Sequence, residues 1–168
     1  MKRVLFLVNT GKISSNESGG ASVYLSHLDI LHKIGCEIVL LAIQWNENDR
    51  LQIEDYQEIK DKLSEVITYK VHKTQPSNSF SRVYEAIVNP SKFEYSFLNQ
   101  SNHNFLQEII NTKNIDVVWA EWRWTAILAL HSNLHKPVVY AHHDWEYKLA
   151  KVRKKQSLIE KFHTYQKK

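Results

Sequence analysis

The stretch VLFLVN at Val4–Asn9, together with the segment SGGAS at Ser18–Ser22, decides the fold. The first stretch has the length and composition of a strand that is buried on both faces. The second precedes an amphipathic segment, so a strand, a flexible turn and the start of a helix follow one another. Because backbone N–H groups and the positive end of a helix dipole converge on such a turn, we expect an anion site at Gly19 and Gly20.

Further apolar runs alternate with segments of helical periodicity along the chain. The predicted strands are Arg3–Asn9, Glu37–Gln44, Val66–His72, Asp116–Glu121 and Pro137–His142. The predicted helices are Ala21–Lys33, Ile53–Leu63, Arg82–Val88, Asn104–Lys113 and Trp124–Leu134. Gly35 is expected to end the first helix. Strands separated by helices predict an α/β fold, a Rossmann-like doubly wound parallel sheet with helices on both faces.

The composition fits one globular domain that spans residues 1–168. Hydrophobic residues make up 43% of the chain and charged residues 24%, which is ordinary for a globular protein. No apolar run approaches the roughly 20 residues that span a bilayer. The only cysteine, Cys36, excludes an internal disulfide and is typical of a reducing compartment, so we expect a cytoplasmic protein.

Positive charge is concentrated at the end of the chain. Between residues 148 and 168 there are eight Lys or Arg and one acid, Glu160. Such a segment is expected first to be the solvated face of a helix, and contact with an anionic membrane surface or nucleic acid is the alternative. We expect no nucleic acid partner, and a peripheral contact with the inner face of the membrane stays open.

Three polar groups follow predicted strands: Gly19 with Gly20, the segment EWRW at Glu121–Trp124, and the segment HHDWE at His142–Glu146. Ligands of open parallel sheets bind at the carboxyl ends of the strands, where the strand order reverses. The three groups are therefore expected at one edge. The first two groups also have structural interpretations: turn geometry for the glycines, an ion pair with Arg123 for Glu121, and core and rim packing for Trp119, Trp122 and Trp124.

Several site classes find no support in the sequence. The glycine spacing departs from G-x-G-x-x-G, and no Gly-Lys-Ser/Thr occurs, so neither a dinucleotide fingerprint nor a P-loop is present. No nucleophile elbow is present either. Neighbouring side chains on a strand point to opposite faces, so His142 and His143 are not expected to share a metal ion.

The ordered combination of these motifs resembles the N-terminal half of the GT-B glycosyltransferases, particularly the retaining group-4 (group 1) enzymes. The resemblance covers most of the chain and is weak over Asn46–Asn102. The quoted segments are Lys2–Asn9, Ser18–Leu28, Leu31–Ile38, Ile115–Glu121 and Lys136–Asp144.

The resemblance implies transfer of a sugar from a nucleotide-sugar to a glycan or lipid-linked acceptor, with retention of configuration and without cofactor or required metal. It implies that His143 contacts the transferred sugar and that Glu121 is a second catalytic residue. Gly19 and Gly20 would approach the donor diphosphate. The remaining implied residues contact acceptor or sugar: Trp122, Arg123 and Asp144.

The chain ends at Lys168, before the second domain of such an enzyme, so the resemblance implies a donor-binding domain in cis or in trans. This chain alone is then expected to be inactive. The alternative is a non-catalytic Rossmann-like module that binds a nucleotide or a protein partner.

Overall fold

The computed structural model describes residues 1–9, 13, 19–45, 53–74, 79–88 and 95–141. The strands in chain order are β1 Arg3–Val8, β2 Glu37–Gln44, β3 Glu65–Lys70, β4 Val117–Ala120 and β5 Val138–Tyr140. The helices are α1 Gly19–Lys33, α2 Ser79–Val88, α3 Gln100–Thr112 and α4 Arg123–His131, with a 3-10 helix at Ile53–Lys62. None of the helices in these ranges is long and apolar enough to cross a membrane.

The strands form one sheet in the order β3-β2-β1-β4-β5, and every neighbouring pair is parallel. This arrangement confirms the predicted Rossmann-like α/β fold. Each predicted strand is present: β2 has the predicted ends, and the ends of the other strands differ from the prediction by at most two residues. The sheet runs outward from β1 in both directions, which places the reversal of strand order between β1 and β4.

Two apolar layers cover the two faces of the sheet, as the continuous apolar run in β1 predicts. Leu5 and Leu7 face the layer that α3 and α4 close. Val4, Phe6 and Val8 face the layer that α1 and the 3-10 helix close. Since all five side chains are at most 3% exposed, β1 is the centre of the core.

The glycine pair differs from the prediction. Gly19 and Gly20 were expected in a turn, whereas they are the first two residues of α1. Glycine costs about 1 kcal/mol relative to alanine inside a helix, but the burial of Tyr24 and Leu28 against the sheet fixes the course of the helix. The pair therefore supplies N–H groups of the first helical turn, which have no acceptor within the helix.

Gly35 ends α1 as the sequence predicts. Its φ of 79° is in the left-handed region, which an L side chain adopts only with strain. The N–H of Cys36 donates to the carbonyl of Leu31, and that of Gly35 donates to the carbonyl of His32, both at 3.0 Å. This Schellman motif turns the chain directly into β2.

Asp116 ties β1 to the start of β4 at the amino edge of the sheet, and we expect it to give the fold a pH dependence. The backbone N–H of Arg3 donates to its Oδ2 at 2.9 Å. This bond holds the pKa of Asp116 below its ordinary value of 3.8, and the charges of Lys2 and Lys136 act in the same direction. A lowered pKa stabilises the fold above the ordinary value, and this stabilisation is lost as pH falls through the lowered pKa.

The test compares the free energy of unfolding of the wild type and of Asp116→Asn between pH 2 and pH 7. The wild type is expected to be more stable than the variant near neutrality, and this difference is expected to shrink below about pH 4. A difference that stays constant over the whole range would contradict the assignment.

Candidate functional site

The carboxyl edge of the sheet between β1 and β4 is the place where a ligand is expected, because the strand order reverses there. Asn9 directly follows β1 and Glu121 directly follows β4. The backbone N–H of Glu121 donates to the carbonyl of Leu7 at 3.1 Å, which continues the ladder between the two strands. The two polar residues therefore lie at the reversal itself.

Glu121 is fully buried, and two side chains among the described residues contact its carboxylate. Its Oε1 accepts a hydrogen bond from Nε1 of Trp119 at 2.7 Å. The same oxygen lies 2.7 Å from Nδ1 of His27 on α1. A carboxylate only accepts, so Nδ1 of His27 carries the proton in this contact. Glu121 thereby fixes both the tautomer and the orientation of an imidazole that is 26% exposed.

The start of α1 lies at the same edge. The hydroxyl of Tyr24 donates to Oδ1 of Asn9 at 3.3 Å, which joins the second turn of the helix to the end of β1. From there α1 returns along the sheet to the amino end of β2. Gly19 and Gly20 precede Tyr24 by about one turn, and the first turn of α1 carries no acidic residue.

A second helix starts at this edge on the other face of the sheet. Only Glu121 and Trp122 connect β4 to α4. The buried hydroxyl of Thr125 closes this connection, since it accepts from the N–H of Trp122 at 3.1 Å and donates to its carbonyl at 2.6 Å. Arg123 is the first residue of α4; its guanidinium lies 4.5 Å above the ring of Trp124 and donates to the hydroxyl of Tyr95 at 3.3 Å.

Beneath Arg123 the aromatic side chains pack edge to face. Trp45, which follows β2, lies 5.0 Å from Phe97 and 5.8 Å from Trp122 between ring centroids. Trp124 extends the group, at 6.1 Å from Trp122. The indole N–H of Trp45 has no hydrogen-bond partner among the residues that the structure describes. These tryptophans form core and rim, the structural interpretation that the sequence allowed.

The predicted site residues fall into three groups. The structure brings Glu121 and the start of α1 with Gly19 and Gly20 to one edge, and it places Trp122 and Arg123 at the same strand end on the opposite face. His143 and Asp144 lie outside the described residues. No group of three or more potential metal ligands occurs within the described ranges, and the segment HHDWE lies beyond them, so the expected absence of a metal stays a prediction.

His27 was missed by the sequence reasoning as a site residue. It follows Tyr24 by three residues and precedes Leu31 by four, so it belongs to the side of α1 that faces the sheet. A histidine at such a position requires a hydrogen-bond partner in the interior. This requirement was the signal in the sequence that could have identified His27 as a site residue. The partner is Glu121, 94 residues further along the chain.

The parallel sheet and the reversal of strand order at its carboxyl edge define a Rossmann-like α/β domain. No family model matches the chain, and no curated protein matches it. Among solved structures, it is similar to a protein of the universal stress protein family from Burkholderia pseudomallei. The sequence identity is 10%, the match covers 83% of this chain and 95% of that chain, and the TM-score is 0.42.

These comparisons overturn the assignment to the group-4 glycosyltransferases. No family model matches the chain, those of the glycosyltransferases included, so the predicted sugar transfer, with its enzyme class, is wrong. The physical reason is that the quoted segments are apolar strands, a helix start and a helix-to-strand turn, which many doubly wound sheets share. The roles that the resemblance implied for Gly19, Gly20 and Glu121 lose that support, whereas their positions at the carboxyl edge remain.

Proposed function

We propose that this domain binds a nucleotide at the carboxyl edge of the sheet, in the crevice between β1 and β4. The observation that carries the proposal is the reversal of strand order between these two strands. In open α/β sheets this point is the ligand-binding crevice. Here Asn9 and Glu121 follow the two strands that border it.

The phosphate groups are assigned to the first turn of α1. Its N–H groups have no acceptor within the helix, and the helix dipole favours an anion at this end. Gly19 and Gly20 present no side chain, so an anion can approach the backbone closely. The first turn of α1 carries no acidic residue, so no side chain of that turn neutralises the positive end of the helix dipole.

His27 and Glu121 form the polar wall of the proposed crevice. Glu121 is too deeply buried to meet a ligand, so it acts through the imidazole that it orients. The imidazole of His27 is partly exposed, and ring nitrogens are suited to hydroxyl and phosphate oxygens. The single cysteine of the chain, Cys36, favours a cytoplasmic location for this nucleotide-binding module.

The test is calorimetric titration of the full chain with nucleoside diphosphates of adenine, guanine, uracil and cytosine, and with the matching nucleosides. At least one diphosphate is expected to bind, and its nucleoside to bind at least tenfold more weakly. Gly20→Glu places a carboxylate beside the phosphate site and is expected to weaken binding about tenfold, which is ~1.4 kcal/mol. An acid in the first helical turn favours the helix, so the variant is expected to fold.

Ile30→Glu is the matched control, because it adds the same charge to an exposed position of the same helix. It lies ten residues further on, about 15 Å along the axis, and is expected to leave the affinity unchanged. The proposal fails if none of the diphosphates binds, if nucleosides bind equally well, or if both variants lose affinity to the same extent.

A further inference from the structure

Helix α2 carries an apolar stripe that faces solvent. Its large hydrophobic residues recur at helical spacing, i, i+3, i+4, i+7 and i+8, which places them on one face. Their exposed fractions are 83% for Phe80, 59% for Val83, 57% for Tyr84, 67% for Ile87 and 51% for Val88. Exposed apolar residues are ordinarily scattered singly, so five on one face of a ten-residue helix mark an interaction surface.

The sequence around this stripe is basic. Between residues 70 and 92 there are four Lys or Arg and one acid, Glu85. An exposed apolar stripe with positive charge near it is complementary to a layered surface, in which anionic groups lie outside and apolar groups lie beneath them.

We propose that α2 is the site at which this protein binds an anionic lipid surface. The helix lies in the plane of the headgroups, and its apolar stripe enters the boundary with the acyl chains. Phe80 and Tyr84 supply aromatic rings at this depth, where amphipathic rings are favoured. The neighbouring Lys and Arg residues add electrostatic attraction of about 1 kcal/mol each close to the surface.

The size of the stripe favours a lipid surface over a second copy of the chain. A helix of ten residues presents a strip roughly 15 Å long and 10 Å wide. A stable protein interface buries about 800 Å² on each partner, which such a strip does not approach. A lipid surface needs no complementary shape, so the stripe suffices there.

The experiment is co-sedimentation of the full chain with vesicles of phosphatidylcholine alone and of phosphatidylcholine with phosphatidylglycerol. The wild type is expected to bind the anionic vesicles at least tenfold more tightly than the neutral ones, and more weakly at high salt. The double substitution Phe80→Ser with Ile87→Ser is expected to lower binding to anionic vesicles at least tenfold. Both residues are exposed, so circular dichroism is expected to show an unchanged fold.

The matched control is Ile30→Ser with Leu130→Ser, which removes two exposed apolar side chains from α1 and α4. It is expected to bind vesicles like the wild type. Three results would overturn the proposal: equal binding by the α2 variant, equal loss in the control, or a dimer in sedimentation velocity that only the α2 substitutions abolish. None of these results depends on nucleotide binding, so the two proposals stand or fall separately.

Discussion

Asn102→Asp is expected to lower the free energy of unfolding by about 4 kcal/mol. Asn102 is fully buried near the start of α3, and its side chain makes four hydrogen bonds. Oδ1 accepts from the hydroxyl of Tyr69 at 2.8 Å and from the N–H of His72 at 3.0 Å. Nδ2 donates to the carbonyls of His72 and Phe97, both at 2.7 Å.

An aspartate keeps both acceptors but has no donor, so the two carbonyls would face a buried carboxylate. Both the lost hydrogen bonds and the desolvated charge destabilise the fold. Burial raises the pKa of Tyr69, so its phenol remains a donor and does not relieve the carbonyls. Urea denaturation at pH 7 measures the effect.

The control is Asn99→Asp, the same change three residues earlier. Asn99 caps α3 by accepting from the N–H of Asn102 at 3.1 Å, and an aspartate caps equally well. It loses the bonds that Nδ2 donates to the carbonyl of His72 at 2.7 Å and, more weakly, to the carbonyl of Ser96 at 3.3 Å. Because Asn99 is half-buried, water can replace these bonds, so a loss of about 1 kcal/mol is expected. If the two variants lost the same free energy of unfolding, the buried hydrogen bonds of Asn102 would not be what stabilises the start of α3.

The strands were predictable because their signal is local. The run at Val4–Val8 is apolar without alternation, which indicates burial on both faces, and the structure buries it so. The signal for the end of the first helix was also local, since Gly35 adopts a backbone conformation that favours glycine. The start of that helix could not be predicted from local sequence, because packing of Tyr24 and Leu28 against the sheet outweighs the low helix propensity of the glycine pair.

The candidate site was predictable only in part, because its partners are distant in sequence. The position of Glu121 follows from the end of β4, but its contact with His27 depends on how α1 crosses the sheet. The exposure of α2 could not be predicted at all. The spacing from Phe80 to Val88 indicates an amphipathic helix, and the same spacing is typical of helices that pack into a core. Whether a neighbour covers the stripe is a property of the fold.

Glu121→Ala is expected to destabilise the fold by about 3 kcal/mol and to disturb the candidate site. The truncation removes the acceptor of two donors, Nε1–H of Trp119 and Nδ1–H of His27. Trp119 also stacks on Phe6 at 6.5 Å and meets the His27 ring edge-on at 5.4 Å. The cavity left by Glu121 therefore opens within a packed aromatic layer, and thermal and urea denaturation will report the loss.

Glu121→Gln separates the hydrogen bonds from the charge. One oxygen of the carboxylate accepts from both donors, and the amide oxygen of glutamine can occupy the same position. A loss of about 1 kcal/mol is therefore expected, with the Trp119 indole proton still protected from hydrogen exchange. In Glu121→Ala this proton is expected to exchange at least tenfold faster. If alanine and glutamine cost the same, or if the indole proton is unprotected in the wild type, Glu121 does not hold His27 and Trp119 at the edge between β1 and β4.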